Sequence, residues 1–226
     1  MDEIEVALLD IDGTLLDSTY HHTLAWGRAF AGAGHPVPLW EIHRHIGMGG
    51  DRLIVAVVGE EAAEEIGADV EERWRAAYDD LIGETRLLPA ARELLDALRD
   101  SGLEVVLASS SIPEHARHAL RLLGADERAD AWTTSADAEE SKPDPELLEE
   151  ALQRVQGRAA VMVGDATWDA VAASRIGIPT VGLLCGGFGE DELRNAGAVA
   201  VYRDPDDLVC HLDAALAAAE AWSPRR

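Results

Sequence analysis

The chain has 226 residues, of which 47% are hydrophobic and 27% charged, enough for one folded α/β core with a small inserted domain. Its net charge of −24 disfavours nucleic acid and anionic membranes as partners. No apolar run approaches the roughly 18 residues of a membrane helix, and the acidic start is unlike a signal peptide. Cys185 and Cys210 are too few for a disulfide framework. We therefore expect a cytoplasmic protein; its oligomeric state is left open.

The first third of the chain predicts one strand followed by helices. Residues 5–9 predict a buried strand that runs into Asp10-Ile11-Asp12-Gly13-Thr14. Residues 18–33 predict a helix, and residues 39–82 are helical almost throughout. Together these helices predict a compact helical insert over residues 17–83.

Strands and helices alternate in the rest of the chain. The predicted strands cover residues 103–108, 131–134, 159–163, 179–184 and 198–202, and the predicted helices cover residues 89–100, 113–123, 145–155, 168–176 and 205–222. The strands are continuous apolar runs, which indicates a parallel sheet covered on both faces. We predict an α/β fold with a Rossmann-like, doubly wound parallel sheet. Residues 1–16 and 84–226 form this core, and residues 17–83 form an inserted helical cap domain.

Four groups of polar residues stand at the ends of predicted strands or in the loops just beyond. The groups are Asp10 with Asp12, Ser109 with Ser110, Lys142 alone, and Asp165 with Asp169. Each group alone also fits an ordinary structural role, such as a turn, a helix cap or a solvated loop lysine. Because the carboxyl ends of parallel strands meet at one edge of the sheet, we expect all four groups to converge there.

The carboxylates of this edge suit a metal site. Asp10 and Asp12 are two residues apart on an extended backbone, so both side chains lie on the same side. Two close carboxylates repel each other unless a cation or a proton intervenes, which suits one as nucleophile and the other as general acid and base. Asp165 could complete an oxygen site for Mg²⁺, with Asp169 supporting it from behind.

The remaining two groups suit a phosphate. Ser109 and Ser110 precede a predicted helix, where hydroxyl and amide groups can bind phosphate oxygens. Lys142 is the only lysine among 19 basic residues and lies in a loop stiffened by Pro143. Its ammonium would hold a transferring phosphoryl group.

In this order the motifs Asp10-Ile11-Asp12-Gly13-Thr14-Leu15, Ser109, Lys142 and Gly164-Asp165 resemble the haloacid dehalogenase-like superfamily, and within it the phosphatases with a helical cap. The resemblance covers nearly the whole chain and implies a Mg²⁺-dependent phosphatase for a small phosphorylated metabolite, such as phosphoglycolate or a sugar phosphate.

The resemblance also implies a role for each motif residue. It makes Asp10 the nucleophile that becomes phosphorylated, and Asp12 the acid and base, whose backbone carbonyl also binds the metal. Ser109 and Lys142 then bind phosphoryl oxygens. Asp165 joins Asp10 and Asp12 as a metal ligand, supported by Asp169.

Other members of the superfamily are alternatives. Asp12 argues against dehalogenation, and the absence of lysine from residues 17–83 excludes the relatives that cleave phosphonates with a cap lysine. A sugar phosphomutase of the β-phosphoglucomutase type stays open, because His22 matches a histidine that such enzymes use, although Arg52 stands two positions late for their cap arginine. A non-catalytic binding protein on the same fold is the third alternative, disfavoured because Asp10, Asp12 and Lys142 are all present.

The cap loop around residues 46–52 is the predicted specificity element. Gly47, Met48 and Gly49 permit close approach to a ligand or a hinge motion, and Arg52 follows them. With His22, these residues form the predicted substrate-facing set. Arg44 or Arg52 could meet a second anionic group on the substrate.

Overall fold

The computed structural model describes residues 3–223, and its centre is a six-stranded parallel sheet. The strands in chain order are β1 (Val6–Leu9), β2 (Leu16–Asp17), β3 (Arg86–Leu87), β4 (Glu104–Ala108), β5 (Ala131–Thr133), β6 (Ala160–Gly164), β7 (Thr180–Leu183) and β8 (Ala198–Tyr202). The sheet has the order β5-β4-β1-β6-β7-β8, and every neighbouring pair is parallel. The predicted fold class is confirmed.

Helices flank both faces of this sheet, and four form the insert. The helices are α1 (Thr19–Gly32), α2 (Leu39–His43), α3 (Gly50–Val58), α4 (Glu60–Leu81), α5 (Ala91–Asp100), α6 (Pro113–Leu123), α7 (Ala125–Arg128), α8 (Glu146–Gln153), α9 (Thr167–Arg175), α10 (Glu190–Ala196), α11 (Pro205–Cys210) and α12 (Leu212–Glu220). No described helix has both the length and the apolar character to cross a membrane.

Both faces of β1 are buried, which explains its unbroken apolar sequence. Leu9 packs with Leu94 and Leu107 in one core cluster, and Leu8 packs with Val106 in the cluster on the opposite face. Adjacent residues of a strand point to opposite faces, so a strand covered on both sides has to be apolar at every position.

The register of the central strands fixes the level at which the chain leaves the sheet. Leu9 of β1 pairs with Leu107 of β4 and with Val163 of β6. Asp10 therefore follows β1 at about the level where Ser109 follows β4 and Asp165 follows β6. Three of the four predicted polar groups thus reach one edge through strand pairing alone.

The four helices of the insert share a core of their own. Trp26 and Phe30 of α1 pack with Trp74 and Tyr78 of α4. The chain leaves the sheet domain along β2 and returns along β3, and Leu16 and Leu87 face each other in this short antiparallel pair. The predicted boundary at residues 16/17 falls within β2, and the one at 83/84 falls shortly before β3; the division stays a prediction. Residues 1–2 and 224–226 of the predicted core lie outside the described residues.

Several elements differ from the sequence-based expectation. Residues 39–82 form three helices: residues 44–49 separate α2 from α3, and Gly59, with a positive φ of 81°, separates α3 from α4. The helix predicted at residues 205–222 is interrupted at His211, whose backbone is not helical (φ −126°, ψ 22°). The sequence did not predict β2, β3, α7 or α10.

Candidate active site

Asp10 and Lys142 form a buried ion pair at the carboxyl edge of the sheet. Lys142 Nζ lies 2.5 Å from Asp10 Oδ1 and 2.8 Å from Asp169 Oδ1. The lysine side chain is fully buried, with 0% exposure. A lysine loses most of its hydration in such a position and is stable there only because carboxylates pair with it. The single lysine of the chain therefore serves this site and no surface function.

The carboxylate of Asp165 lies close to this ion pair, and the backbone at Gly13 and Gly186 packs tightly against it. Thr14 Oγ1 donates a hydrogen bond of 2.7 Å to Asp165 Oδ1. A Cβ atom on Gly186 would come within 1.7 Å of Asp165 Oδ2, so only glycine allows this loop to approach the carboxylate. The loop after β7 was not predicted to take part in the site, because its one reactive side chain, Cys185, stands alone without the spacing of a metal site.

Asp10, Asp165 and Asp169 are all buried and place carboxylate oxygens within 4.8 Å of one another. Burial raises the pKa of Asp10 to about 7, against the opposing effect of Lys142. Burial and the carboxylates of Asp10 and Asp169 raise the pKa of Asp165 well above its usual range. One ammonium does not balance three buried carboxylates. A hard divalent cation would supply the missing charge, and carboxylate oxygens are the donors that Mg²⁺ prefers. The cluster fits the predicted cofactor.

The Asp12 carboxylate faces away from this cluster. It accepts hydrogen bonds from Ser18 Oγ at 2.6 Å and from Ser111 Oγ at 2.7 Å, and His22 Nε2 lies 3.3 Å from it. Burial opposes its ionisation, but His22 and the hydrogen bonds hold the pKa of Asp12 well below its usual range. Two aspartates only two residues apart thus have opposite environments. Asp12 can contribute to the predicted metal site only through its backbone carbonyl, the donor that the family resemblance implies.

The serines after β4 differ in whether their hydroxyl groups are already hydrogen-bonded within the protein. Ser109 Oγ accepts a hydrogen bond of 3.1 Å from the amide of Ser111, so its hydroxyl braces the loop. Ser110 Oγ is buried without a hydrogen-bond partner among the described residues. An unpaired buried hydroxyl is costly unless a ligand binds it. Ser110 is therefore the serine best placed to bind an anion.

A cavity of about 60 Å³ lies between the sheet edge and the insert. Its lining residues are Asp10, Asp12, His22, Trp26, Ile46, Gly47, Met48, Gly50, Leu53, Trp74, Ser110 and Ser111. Both catalytic candidates, one serine candidate and part of the predicted specificity set thus share one cavity. Its position at the carboxyl ends of the strands agrees with the general rule for open parallel sheets.

The predicted specificity residues divide into two groups. His22, Gly47 and Met48 line the cavity, whereas Gly49 and Arg52 do not. Arg52 pairs with Glu140 of the sheet domain, and a Cβ on Gly49 would meet Ser141 at 2.2 Å. Gly49 and Arg52 therefore belong to the contact between the insert and the sheet domain.

Sequence reasoning missed three kinds of lining or bracing residue. Ser18 stands just before α1, a usual place for a capping serine, but its hydroxyl donates a hydrogen bond to Asp12 instead. Ser111 follows the predicted phosphate serines and had no signal of its own. Trp74 comes from the middle of α4, where its spacing marks it as a core residue, and only the packing of α4 on α1 brings it to the cavity.

The sequence profile of haloacid dehalogenase-like hydrolases matches residues 4–177, and a second profile, of HAD-hydrolase-like proteins, matches residues 140–215. The chain belongs to the haloacid dehalogenase-like hydrolase family. A validoxylamine A 7'-phosphate phosphatase from Streptomyces hygroscopicus is 30% identical over 193 residues, which are 79% of this chain and 85% of that protein. A phosphoglycolate phosphatase from Vibrio parahaemolyticus is 28% identical over 204 residues, 81% of this chain and 85% of that protein.

A solved structure of a hydrolase supports the assignment. The crystal structure of a hydrolase from Pseudomonas syringae is 36% identical, with a TM-score of 0.88, and the match covers 93% of this chain and 98% of that one. The predicted membership of the haloacid dehalogenase-like family is confirmed. The predicted enzyme class, a phosphoric monoester hydrolase, is confirmed at the level of the class by relatives that are themselves phosphatases.

Proposed function

We propose that this hydrolase cleaves a small phosphomonoester in a Mg²⁺-dependent reaction, with Asp10 as the nucleophile that forms an aspartyl phosphate. The proposal rests on one observation: Asp10 and Asp12 line the same cavity but have opposite environments. Asp10 is bound to the ammonium of Lys142, and Asp12 is held ionised by three partners. Two carboxylates with different roles need different surroundings of this kind.

The first half of the reaction transfers the phosphoryl group to the protein. A carboxylate oxygen of Asp10 attacks phosphorus while the bond between phosphorus and the alcohol oxygen breaks. Asp12 passes a proton to the leaving alcohol. Because the free site holds Asp12 ionised, that proton has two sources within reach: the substrate monoanion, or His22 at 3.3 Å. Lys142 and the free hydroxyl of Ser110 bind the phosphoryl oxygens.

The second half returns the enzyme to its starting state. Water attacks phosphorus, and the bond between phosphorus and Asp10 breaks to release inorganic phosphate. Asp12 accepts the proton of that water, a role that suits a carboxylate held ionised by Ser18, Ser111 and His22. Lys142 keeps its charge throughout, because Asp10 and Asp169 raise its pKa despite complete burial.

The residues that would hold Mg²⁺ are the carboxylates of Asp10 and Asp165 and the backbone carbonyl of Asp12. Asp169 would support them from its position against Lys142 and the amide of Ala166. When bound, the ion neutralises negative charge on the transferring phosphoryl group.

The test measures phosphate release from a panel of phosphomonoesters with Mg²⁺ and with chelator. We expect turnover that requires Mg²⁺ and falls at least about a thousandfold in Asp10→Asn, since no nucleophile remains. Asp69→Asn, which removes an exposed carboxylate of α4, is the matched control and should retain full activity. Rapid quenching should trap one phosphoryl group on the peptide that contains Asp10. Undiminished turnover in Asp10→Asn would contradict the proposal.

The contact between His22 and Asp12 keeps a phosphomutase as a second candidate, because it supports the acid and base that such a reaction needs twice. Asp12 would take the proton of the sugar hydroxyl that attacks the aspartyl phosphate, and would return a proton to the sugar oxygen released when the bisphosphate passes its other phosphoryl group back to Asp10. The same panel separates the two functions. Isomerisation of a sugar 1-phosphate to the 6-phosphate, faster than phosphate release, would replace the phosphatase by the mutase.

A further inference from the structure

Within the part of the chain that the structure describes, no cationic side chain of the cavity is free to bind a second anionic group. Of the described residues that line it, Asp10, Asp12 and His22 are the ones that can carry charge, and His22 lies against Asp12. No arginine or lysine is among the described lining residues. Lys142 lies below the cavity, where its charge is shared between Asp10 and Asp169.

The two cap arginines nearest the site are bound elsewhere. Arg44 forms an ion pair with Glu192, and its guanidinium lies 4.5 Å from the centre of the Phe188 ring. Arg52 pairs with Glu140. Both ion pairs join the insert to the sheet domain outside the cavity. The sequence-based expectation that Arg44 or Arg52 meets a second anionic group of the substrate has no support in this arrangement.

The remaining arginines of residues 17–83 face solvent. Arg28 and Arg75 are exposed, and Arg73 is exposed and paired with Asp69 one helical turn away. The insert therefore presents no free positive charge to the cavity. A substrate carboxylate or second phosphate there would lose its hydration without gaining a partner, next to two aspartates.

The part of the cavity wall that the insert contributes is mainly apolar. Trp26 and Trp74 stack with ring centres 4.8 Å apart, and Ile46, Met48 and Leu53 complete the wall around them. Such a wall suits the carbon face of an alcohol or a sugar ring, which aromatic side chains bind without ionic contacts.

We propose that the substrate is a phosphomonoester of an uncharged alcohol, and that esters whose alcohol portion carries a carboxylate or a second phosphate are discriminated against. This inference rests on the proposed phosphatase function and narrows its substrate class. Of the two classes that the family resemblance implies, it favours neutral sugar or polyol phosphates over phosphoglycolate.

A pair of nearly isosteric substrates tests the inference. 2-Hydroxyethyl phosphate and phosphoglycolate differ in one group, a hydroxymethyl against a carboxylate. We expect kcat/KM to be at least about tenfold higher for 2-hydroxyethyl phosphate, because the carboxylate would be desolvated without a partner. A preference for phosphoglycolate would overturn the inference while leaving the phosphatase function intact. Absence of phosphate release from both esters and from the whole panel would overturn both.

Substitutions at Met48 test the cause of the preference. Met48 lines the cavity and is only partly buried, so a longer polar side chain fits there. Met48→Arg should move the ratio of the two kcat/KM values at least about tenfold towards phosphoglycolate, whereas Met48→Gln, of similar size and uncharged, should not move it. Equal shifts in the two variants would show that shape rather than charge sets the ratio, against the inference.

The outward arginines provide the second control. Arg52→Gln and Arg44→Gln should leave the substrate ratio unchanged, because neither side chain lines the cavity. A selective loss of phosphoglycolate turnover in either variant would show that the arginine enters the cavity during the reaction, and would overturn the inference.

Discussion

At the scale of single residues, the site depends on how four charges share one buried space. Lys142 lies between Asp10 and Asp169, and among residues 3–223 Thr14 is the only side chain that donates a hydrogen bond to Asp165. Desolvation penalises every carboxylate in such a place, and an unpaired one is penalised most. The buried carboxyl group of Asp165 therefore lowers the stability of the free protein. This cost is explained if Asp165 binds a ligand.

This imbalance predicts opposite effects of Asp165→Asn with and without Mg²⁺. In chelator, we expect the variant to be more stable than the natural chain by about 1 kcal/mol or more, since it removes a buried carboxyl group whose raised pKa costs stability at neutral pH, while the acceptor for Thr14 stays. The natural chain should gain about 2 to 3 kcal/mol from Mg²⁺ at a hundred times its dissociation constant, and the variant much less. Chemical unfolding measures both.

The surface variant Asp69→Asn is the control for this comparison, because Asp69 pairs with Arg73 in an exposed position. It should change stability by less than about 1 kcal/mol and keep the full response to Mg²⁺. An Asp165→Asn variant as responsive to Mg²⁺ as the natural chain would remove Asp165 from the metal site.

At the scale of elements, the closing contact between the insert and the sheet domain depends on the loop before α3. Gly47 has a left-handed φ of 99°, and a Cβ there would lie 2.7 Å from the Cβ of Ala166 and 3.3 Å from Trp168. Trp168 Nε1 also donates a hydrogen bond of 3.3 Å to the carbonyl of Arg44. The loop can approach Ala166 and Trp168 this closely only because Gly47 has no side chain, and this approach closes the cavity.

Gly47→Ala should therefore impair catalysis more than stability. We expect kcat/KM to fall about tenfold or more, because a gap at this contact admits water and misplaces the cap. Gly34→Ala is the matched control: it has a similar φ of 83° but nothing within 4 Å of the added Cβ, so it carries the backbone strain alone. Steady-state kinetics and thermal unfolding of both variants separate the two effects. Equal kinetics in the two variants would contradict the role of the contact.

The sheet and its edge could be predicted from the sequence because their signals are local. An unbroken apolar run such as that before Asp10 marks a strand buried on both faces, and the polar residue after it marks the edge. The short elements lacked such signals. Only Leu193 of α10 is buried, so no apolar period is visible there, and no glycine or proline marks the break at His211.

The cavity wall could not be predicted for a different reason. Trp26 and Trp74 lie on two helices that are far apart in the sequence and meet only through the packing of the insert. The pattern around each tryptophan indicates a core residue, which it also is. Likewise, the outward direction of Arg52 depends on Glu140 in the other domain, a contact that no spacing in the sequence specifies.

At the scale of the whole molecule, the net charge of −24 opposes the approach of a phosphorylated substrate. The positive charge of the site lies buried beneath the cavity on Lys142, where Asp10 and Asp169 compensate it. A dianionic ester therefore approaches through a field set mainly by surface carboxylates. Such fields extend over about one Debye length, roughly 8 Å at physiological ionic strength, and shrink as salt is added.

Activity should accordingly rise with ionic strength. At a fixed concentration of free Mg²⁺, we expect kcat/KM for a neutral-alcohol phosphomonoester to increase about two- to fivefold between roughly 20 and 200 mM sodium chloride, because screening weakens the repulsion that slows encounter. The value of kcat at saturating substrate should change little, since the buried charges around Lys142 are hardly screened. Sucrose at equal osmolality should have no such effect. A fall in kcat/KM with salt would mean that the bound cation and Lys142 dominate the field at the cavity entrance, so that the acidic surface does not control the approach of the substrate.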